Sequence, residues 1–409
     1  MKFYRYILVF STALFLSVQA YAKSNSQESV TFENYIAKLK EHPQVTAILS
    51  DSDKYKELSK GEMGIPDPQI TLGMENVPFD NFAFDKFLPT SKTLGFRQDI
   101  PSYGLRKARS EKQKKISEKR ELLAEYTVKR LKAYLITSIS ELEKVNRLEK
   151  FHKEQLKYYV DLENYLKGQL ESGSSVYGRF SEIDIERSEV EQKLNNLKSE
   201  SNSIESELIR LVGEVPRTSI PKITEAIWDN NTDNIYAVRI AKEDIGIYQK
   251  DVDAADSAFD PNYGVQAIYK QREDGDNFSG DDWFSVQATI SIPLWSKWKQ
   301  KPNLRAAEHA KRTARLSYDD VKSLWKKKIS ILASERDVAL ENMTLLKEKK
   351  TAISEIVSSA ERNYEAGNAE LESVLDAKID ALTIASRLEE QKSRYIRLSA
   401  EFNSHIIGE

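Results

Sequence analysis

Apolar residues recur at alternating steps of three and four positions along residues 329–364, and only Arg336 and Lys350 interrupt them. This spacing is typical of helices that pack as coiled coils. A second stretch, residues 105–171, contains no proline and has a helical period throughout. At about 1.5 Å per residue, residues 105–171 predict a rod of roughly 100 Å, which is longer than an ordinary globular domain. The apolar positions of the first stretch are Ile329, Leu332, Ala339, Met343, Leu346, Ile353, Val357, Ala360 and Tyr364.

Four shorter segments alternate apolar and polar residues with a period of two, at about residues 68–77, 92–101, 262–271 and 282–293. The pattern is clearest in the last segment, where Phe284, Val286, Ala288, Ile290 and Ile292 alternate with Ser285, Gln287, Thr289 and Ser291. Such alternation predicts strands of a sheet that separates an apolar from a polar medium. Strands of nine or ten residues are long enough to cross a bilayer when tilted.

The chain contains an internal repeat. Asp67-Pro68 recurs 193 residues later, Ile100-Pro101 recurs 192 residues later, Gly173 recurs after 194 and Gly213 after 195. We therefore predict two tandem structural repeats, residues 23–214 and 235–409, joined by an equatorial linker at 215–234. Each repeat has a short helix, two of the four strands, a long helix and a return helix. In repeat 1 the short helix is predicted from Phe32 to about Lys60, the long helix at about 105–171 and the return helix at about 178–211. In repeat 2 the short helix is predicted from Ile235 to about Ser257, the long helix at about 304–366 and the return helix at about 371–406.

Each return helix has about half the length of its long helix. We expect the short helix of repeat 2 to stack end to end on the return helix of repeat 1, because their summed length nearly equals that of the long helix. The linker would then lie as a belt at mid-height.

Composition supports long amphipathic helices, since 31% of the residues are charged and the chain has only 15 glycines and 11 prolines. A net charge of −3 without a basic block argues against nucleic acid as a partner. The four histidines lack the spacing of metal ligands, and no nucleophile, phosphate-binding or metal motif is present. We expect no enzyme activity and no cofactor.

The first residues have the pattern of a signal peptide. Lys2 and Arg5 precede an apolar run from Ile7 to Val18, and Ala20-Tyr21-Ala22 fits a cleavage site, so residues 1–22 are predicted to be removed on export. An uncleaved anchor is the alternative, although the run is shorter than a membrane span. The chain has no cysteine, which excludes disulfides and an acylated N-terminal cysteine. No later segment is apolar enough for a membrane helix, so any membrane contact would be made by strands.

Four strands are too few to close a barrel. An open sheet in lipid would leave unpaired backbone groups along its edges, so several copies of the chain would have to share one transmembrane β-barrel. Apolar strand faces would meet lipid and polar faces would line water. The rods would stand side by side below the barrel and project into an aqueous compartment.

The chain resembles the TolC-like outer-membrane efflux proteins in the order of its elements. That order is strand, loop, strand, Ile-Pro, long helix, glycine turn and half-length return helix, and it occurs twice. Within that family, the segments Phe96–Arg106 and Ile290–Trp295 resemble the cation-efflux branch, although the missing cysteine departs from its lipoproteins. The resemblance implies a mainly α fold with a small β part: a homotrimer in which a long α-helical coiled-coil barrel is joined to a shared barrel of twelve strands. It also implies an outer-membrane location in a Gram-negative bacterium, a periplasmic tunnel, and docking to a periplasmic adaptor protein and an inner-membrane pump.

Candidate gate residues lie just beyond the two helix reversals. Glu182 and Asp376 occupy equivalent positions, 194 residues apart, so a trimer would place six carboxylates around one constriction. Such a ring would attract cations. Arg179, Glu370 and Glu372 are candidate links that hold it closed. The alternative is that these are ordinary solvated charges on helix faces.

Two further groups of residues are candidate contact sites. The two reversal turns are candidate contacts with the adaptor; alternatively, their glycines are present only because the backbone of a tight turn requires glycine. The turn residues are Gly173, Ser174, Ser175, Gly367, Asn368 and Ala369. Aromatic residues near the strands would lie at the membrane interface, or they would pack beneath the barrel; they are Tyr103, Trp283, Trp295 and Trp298.

These features predict the outer-membrane duct of a tripartite efflux system, which passes small toxic solutes, metal cations or drugs. A duct for type I protein secretion has the same architecture and is an alternative. An exported coiled-coil scaffold without a pore is a third possibility, in which the paired strands would have no purpose.

Overall fold

The structure is a computed structural model that describes residues 31–80, 82–173, 177–224, 226 and 228–408. The predicted signal peptide, residues 1–22, lies outside the described residues. The mainly α fold with a small sheet and two tandem repeats is confirmed. In chain order the elements are α1 (Phe32–Lys40), α2 (Pro43–Glu62), β1 (Gln69–Glu75), β2 (Ser91–Ile100), α3 (Tyr103–Glu171), α4 (Tyr177–Val212), α5 (Tyr236–Asp256), β3 (Asn262–Gln271), β4 (Trp283–Ser291), α6 (Gln300–Glu365) and α7 (Leu371–His405), with short 3-10 turns at Thr232–Asn234 and Ser257–Phe259.

The first short helix is broken in two, whereas a single helix from Phe32 to about Lys60 was expected. The break lies at His42, whose backbone is extended with ψ 139°, and Pro43 begins α2. A residue before proline is driven out of the helical region by the proline ring, and proline is well tolerated at the first helical position. The His42 side chain then caps α2, because its Nδ1 accepts a hydrogen bond from the Gln44 backbone N–H at 3.3 Å.

The four strands form one antiparallel sheet in the order β1-β2-β3-β4. The central pairing, β2 with β3, joins the two repeats and aligns Phe96 with Ala267 and Leu94 with Tyr269. The registers of the three pairs place the apolar residues of all four strands on one face. That face is exposed in the single chain: Ile70 is 71% exposed, Leu72 78% and Phe284 70%.

Below the sheet, α3 and α6 run the full length of the helical part. The first half of α3 packs against α2 and α5, and its second half packs against α4 and α7. Along α6, the positions Ile329, Leu332 and Ala339 of the predicted seam are buried. Arg336, which interrupts that seam, lies over the ring of Phe402 at 4.9 Å from its centroid, so the cation is placed on an aromatic face. No helix in the described part of the chain is both long and apolar enough to cross a membrane.

The stacking of the half-length helices differs from the expected one. The end of α4 lies under the α1–α2 pair of its own repeat, where Leu39 packs with Leu208 and Leu211 and Lys38 binds Glu214 at 2.6 Å. Since α1 and α2 already occupy the space above α4, the short helix of repeat 2 cannot continue it.

The short helix α5 instead continues α7, the return helix of its own repeat. Ile235 forms a backbone bridge with Ile406, and the Ile407 N–H donates to the Asn234 carbonyl at 2.7 Å. The belt, residues 215–234, carries the chain across to this position. It is fixed to α7 by Asn403, which accepts from the Ala226 N–H at 3.1 Å and donates to the Thr224 carbonyl at 2.6 Å.

Candidate functional site

A cluster of charges lies where the two return helices begin. The guanidinium of Arg179 on α4 is within 3.1 Å of Glu182, 3.7 Å of Glu186, 2.9 Å of Glu372 and 3.1 Å of Asp376. The Arg179 contacts to Glu372 and Asp376 join α4 to α7, and therefore join the two repeats. We call these five residues the Arg179 cluster. With one cation and four carboxylates, it has a formal charge of −3.

Helix periodicity and an apolar floor position this cluster. Arg179, Glu182 and Glu186 share one face of α4, and Glu372 and Asp376 are four residues apart on α7. Next to them on the same helices, Ile183 and Leu375 are buried in a core that includes Tyr159, Leu162 and Leu166 of α3. The charged side chains are consequently held at the edge of a packed core.

Burial and crowding alter the proton affinity of the carboxylates. Burial raises the pKa of Asp376, and Glu372 and Asp380 raise it further, against the lowering effect of Arg179. Burial likewise raises the pKa of Glu186, with Asp376 and Glu182 adding to it. The same negative charges, together with burial as the main cause, raise the pKa of Tyr159 to about 12. A cation near this site would therefore be favoured over an anion.

The structure brings together four of the five predicted gate residues. Glu370 is the exception: it is the residue before α7, its side chain does not cap the helix, and it forms no ion pair in the described part of the chain. Glu186 was missed, although the sequence carried a signal for it. It lies one turn after Glu182 and two turns after Arg179, on the same helix face.

Both reversal turns contain a glycine in the left-handed region, Gly173 with φ 94° and Gly367 with φ 73°. At Gly367 the backbone forms a Schellman motif, since its N–H donates to Tyr364 and the Asn368 N–H donates to Asn363 at 2.8 Å. A Cβ at either glycine would meet no atom within 4 Å, so backbone conformation rather than space requires glycine there. Ser174 and Ser175, also predicted as docking residues, lie outside the described residues. Ala369 completes the second turn.

The predicted interface aromatics are all exposed. Trp295 and Trp298 are each 74% exposed and follow β4, whereas Trp283, which is 58% exposed, begins it. They therefore mark the two ends of the same strand. Tyr103 is 61% exposed at the start of α3. Arg272 lies over the Trp283 ring at 4.3 Å and Lys297 over the Trp298 ring at 5.4 Å, so the aromatic faces have cationic neighbours.

Metal ligands are not grouped in the described residues, where no set of three or more His, Asp or Glu side chains is arranged to hold a metal ion. Three of the four histidines make separate local contacts. His42 caps α2, and His152 is within 2.7 Å of Gln155. His405 is buried against Tyr126.

Residues 236–401 match the family model described as outer membrane efflux protein. The resemblance to the TolC-like outer-membrane efflux proteins is confirmed. The match covers most of repeat 2. A comparison with curated protein sequences found no match.

Several solved structures are similar in fold to this chain over both repeats. The outer membrane protein VceC from Vibrio cholerae is 16% identical with a TM-score of 0.71, covering 91% of this chain and 95% of VceC. CusC is 14% identical with a TM-score of 0.72, covering 92% of each chain. The open state of the MtrE outer membrane channel from Neisseria gonorrhoeae is 12% identical with a TM-score of 0.74, covering 91% of this chain and 88% of MtrE. At these identities the likeness shows the fold.

Proposed function

We propose that this chain is the protomer of a homotrimeric outer-membrane duct in a tripartite efflux system. In this proposal the chain is exported to the outer membrane of a Gram-negative bacterium and residues 1–22 are removed. The duct receives small toxic solutes, metal cations or drugs, from an inner-membrane pump and a periplasmic adaptor. It then passes them to the exterior.

The open sheet is the observation that carries the proposal. Among the residues that the structure describes, β1 and β4 each pair with one strand only, so each presents an unpaired edge. In lipid, each unpaired backbone group costs several kcal/mol, which closure with the edges of other copies removes. The exposed apolar face, with Ile70, Leu72 and Phe284, is suited to lipid, and Trp283 and Trp295 at the two ends of β4 are suited to its two interfaces. Three copies would supply the twelve strands expected of a TolC-like barrel.

A second apolar stripe on α6 supports assembly of the helical part. Leu324, Ile331, Val338 and Leu345 follow one another at seven-residue intervals and are 59%, 45%, 48% and 50% exposed. They lie on a different side of α6 from the buried positions Ile329 and Ala339. A heptad stripe of this kind needs a helical partner, and within the duct that partner is a helix of the neighbouring copy.

The Arg179 cluster supplies a gate in this arrangement. Three copies would bring three clusters of charge −3 around one constriction, which would attract cations and repel anions. The contacts from Arg179 to Glu372 and Asp376 tie the two return helices together. Opening the lower end would require α4 and α7 to separate, and therefore these contacts to break. The neighbouring turns, at Gly173 and Gly367, would be the contact with the adaptor.

Extraction and conductance test the proposal. We expect the full chain in outer-membrane fractions as a heat-sensitive trimer that needs detergent, and we expect purified material to form cation-selective pores in planar bilayers. A water-soluble monomer that needs no detergent would refute the duct and would favour a coiled-coil scaffold.

A further inference from the structure

In the part of the chain that the structure describes, the lower half of the helical part is a row of α4, α3, α7 and α6. α4 packs on α3, α3 packs on α7, and α7 packs on α6. α4 and α6 therefore lie at the two ends of the row, and each has a side that faces away from the other three helices. In the homotrimer proposed above, these two free sides would face each other across the joint between neighbouring copies.

The free side of α4 carries a continuous stripe of uncharged residues. Nine positions follow one another at alternating steps of four and three, and all nine are exposed. This is heptad spacing, which is typical of a helix that packs against another helix. Other exposed positions of α4 are charged, among them Glu182, Glu191 and Lys198. The residues of this α4 stripe are Ser181, Ile185, Ser188, Gln192, Asn195, Ser199, Asn202, Ser206 and Ile209.

The internal repeat indicates what packs on the α4 stripe. An offset of 194 aligns every second position of the stripe with a line of α7 that lies against α3. On this line Ser386, Ser393 and Ala400 are buried, whereas the aligned residues of α4 are exposed. α4 thus presents, at one end of the row, the kind of surface that α7 buries within it. The aligned pairs are Ile185 with Ile379, Gln192 with Ser386, Ser199 with Ser393 and Ser206 with Ala400.

The same offset aligns α3 with α6, and it maps one contact of the α3–α7 pair onto a second pair of serines. Ser140 of α3 and Ser393 of α7 are buried, and their hydroxyl oxygens are 3.2 Å apart. Their equivalents are Ser334 on α6 and Ser199 on α4, and both of these are exposed in the single chain. Ser334 lies about one turn after Ile331 of the exposed apolar stripe of α6, so both belong to the free side of that helix.

A second contact of the α3–α7 pair maps onto opposite charges. The Gln155 side chain of α3 donates to the Thr383 hydroxyl of α7 at 3.2 Å. The offset of 194 aligns these residues with Lys349 on α6 and Glu189 on α4. Both are exposed, and neither forms an ion pair with another residue that the structure describes. Their charges would therefore attract each other if α6 of one copy met α4 of the next.

We infer that α6 of one copy packs antiparallel on α4 of the next copy, in the register in which α3 packs on α7 within the chain. The exposed apolar stripe of α6 would be covered by the uncharged α4 stripe. Ser334 would lie against Ser199 of the next copy, and Lys349 would pair with Glu189 of the next copy. This packing presupposes the homotrimer of the proposed function, to which it adds the partner helix and its register.

Cysteine pairs test the register, because the chain has no cysteine of its own. The full chain with Ser334→Cys and Ser199→Cys is solubilised in detergent, oxidised with copper phenanthroline and separated on denaturing gels without reductant. Serines whose hydroxyl oxygens are 3.2 Å apart, as in the α3–α7 pair, are within reach of a disulfide. We expect covalent dimers and trimers that reductant returns to monomers. A bond within one copy is excluded, since the two positions lie at opposite ends of the row.

Two matched variants show how specific the bond is. Ser140→Cys with Ser393→Cys makes the equivalent change inside the chain and should give a disulfide without covalent oligomers. Ser334→Cys with Ser206→Cys moves one cysteine by seven residues, which is about 10 Å along the same α4 stripe. We expect it to give less than about a tenth of the covalent oligomer formed by Ser334→Cys with Ser199→Cys.

A charge exchange provides a second measurement that needs no cysteine. Lys349→Glu should increase the fraction of monomer on dilution at least about twofold, because it would place two carboxylates together. Adding Glu189→Lys should return the fraction to that of the unmodified chain.

The oligomeric state of the unmodified chain, from native mass measurement, separates the possible failures. If the chain is a trimer but Ser334→Cys with Ser199→Cys gives no more covalent oligomer than the pair with Ser206→Cys, the register is wrong and the duct stands. A trimer in which Glu189→Lys fails to reverse the effect of Lys349→Glu would likewise contradict the register. If the chain is a monomer, both the register and the proposed function are overturned.

Discussion

Replacing Arg179 by glutamine removes the cation that ties α4 to α7 and tests the proposed gate. The hydrogen bonds from Arg179 to Glu372 at 2.9 Å and to Asp376 at 3.1 Å are charge-assisted. Each would contribute about 1.5–3 kcal/mol if fully buried. The Asp376 side chain is 46% exposed and that of Glu372 is 28% exposed, so solvent screening reduces each to about 1 kcal/mol.

The loss of about 2 kcal/mol corresponds to a shift of roughly 30-fold in the ratio of open to closed gates. The substitution also raises the magnitude of the local charge from −3 to −4, and repulsion among the carboxylates acts in the same direction. We therefore expect Arg179→Gln to raise the open probability of single channels in planar bilayers by more than about tenfold, and to increase cation selectivity.

Arg187→Gln is the matched control for this experiment. Arg187 also lies on α4 and binds Glu163 at 3.0 Å, but Glu163 belongs to α3 of the same repeat. Its loss weakens the α3–α4 contact and leaves the contact between the repeats intact. If Arg179→Gln conducts like the unmodified chain, or if Arg187→Gln opens the channel equally, the Arg179 cluster is not the gate.

Three further predictions concern charge, backbone conformation and assembly. Asp376 and Glu186 have pKa values above the ordinary carboxylate value, so they are protonated before exposed carboxylates as pH falls. Cation selectivity, measured from reversal potentials, should therefore begin to decrease above the pH at which exposed carboxylates titrate, and unchanged selectivity would contradict this. Because the folded chain binds these two protons more tightly than the unfolded chain, both groups should also stabilise the fold as pH falls through their raised pKa values. Gly367→Ala places a side chain at φ 73° and should lower the free energy of unfolding by about 1–2 kcal/mol, as measured by thermal unfolding. Gly178→Ala, in α4 with no atom within 4 Å of the added Cβ, should not lower it. Equal effects of the two substitutions would show that the turn imposes no strain. Val338→Lys puts a charge in the exposed stripe of α6 and should produce monomers by native mass measurement. Thr344→Lys puts the same charge at an exposed position about 100° around the helix from the stripe and should leave the trimer intact, and an intact Val338→Lys trimer would place the interface elsewhere.

The sequence predicted the long elements well because their signals are regular. The α6 seam at Ile329, Leu332 and Ala339 repeats over many turns, and the alternation in β4 has no interruption. The break at His42 was available from Pro43 alone, but the apolar pattern on either side of it favoured one continuous helix.

The stacking of the short helices was not predictable from length. Adding α5 to α4 gives nearly the length of a long helix, and adding α5 to α7 gives almost the same sum. The choice is made by tertiary contacts: Leu39 and Lys38 occupy the end of α4, and the belt binds Asn403 on α7. No local pattern in the sequence reports such contacts, since each joins residues more than 150 positions apart.

For the candidate site, the internal repeat was the useful signal in the sequence. It identified the carboxylates that occur in both repeats, but it could not identify residues that occur in one repeat only. An offset of 194 aligns Glu182 with Asp376 and also aligns Glu186 with Asp380, so the carboxylates are duplicated. The same offset aligns Arg179 with Ser373, and Glu372 with Gly178. The cation and its closest partner are therefore not duplicated. Side-chain geometry was needed to show that one arginine serves both repeats.

This asymmetry determines how a gate in this chain would work. The duplicated carboxylates would set the charge of the constriction in either state, because both repeats carry them. The single cation would set the state, because Arg179 contacts carboxylates of both α4 and α7. The carboxylates thus give the preference for cations in both states, and the single cation decides between the states. A partner that draws Arg179 away from Asp376 would open the lower end while leaving the preference for cations in place.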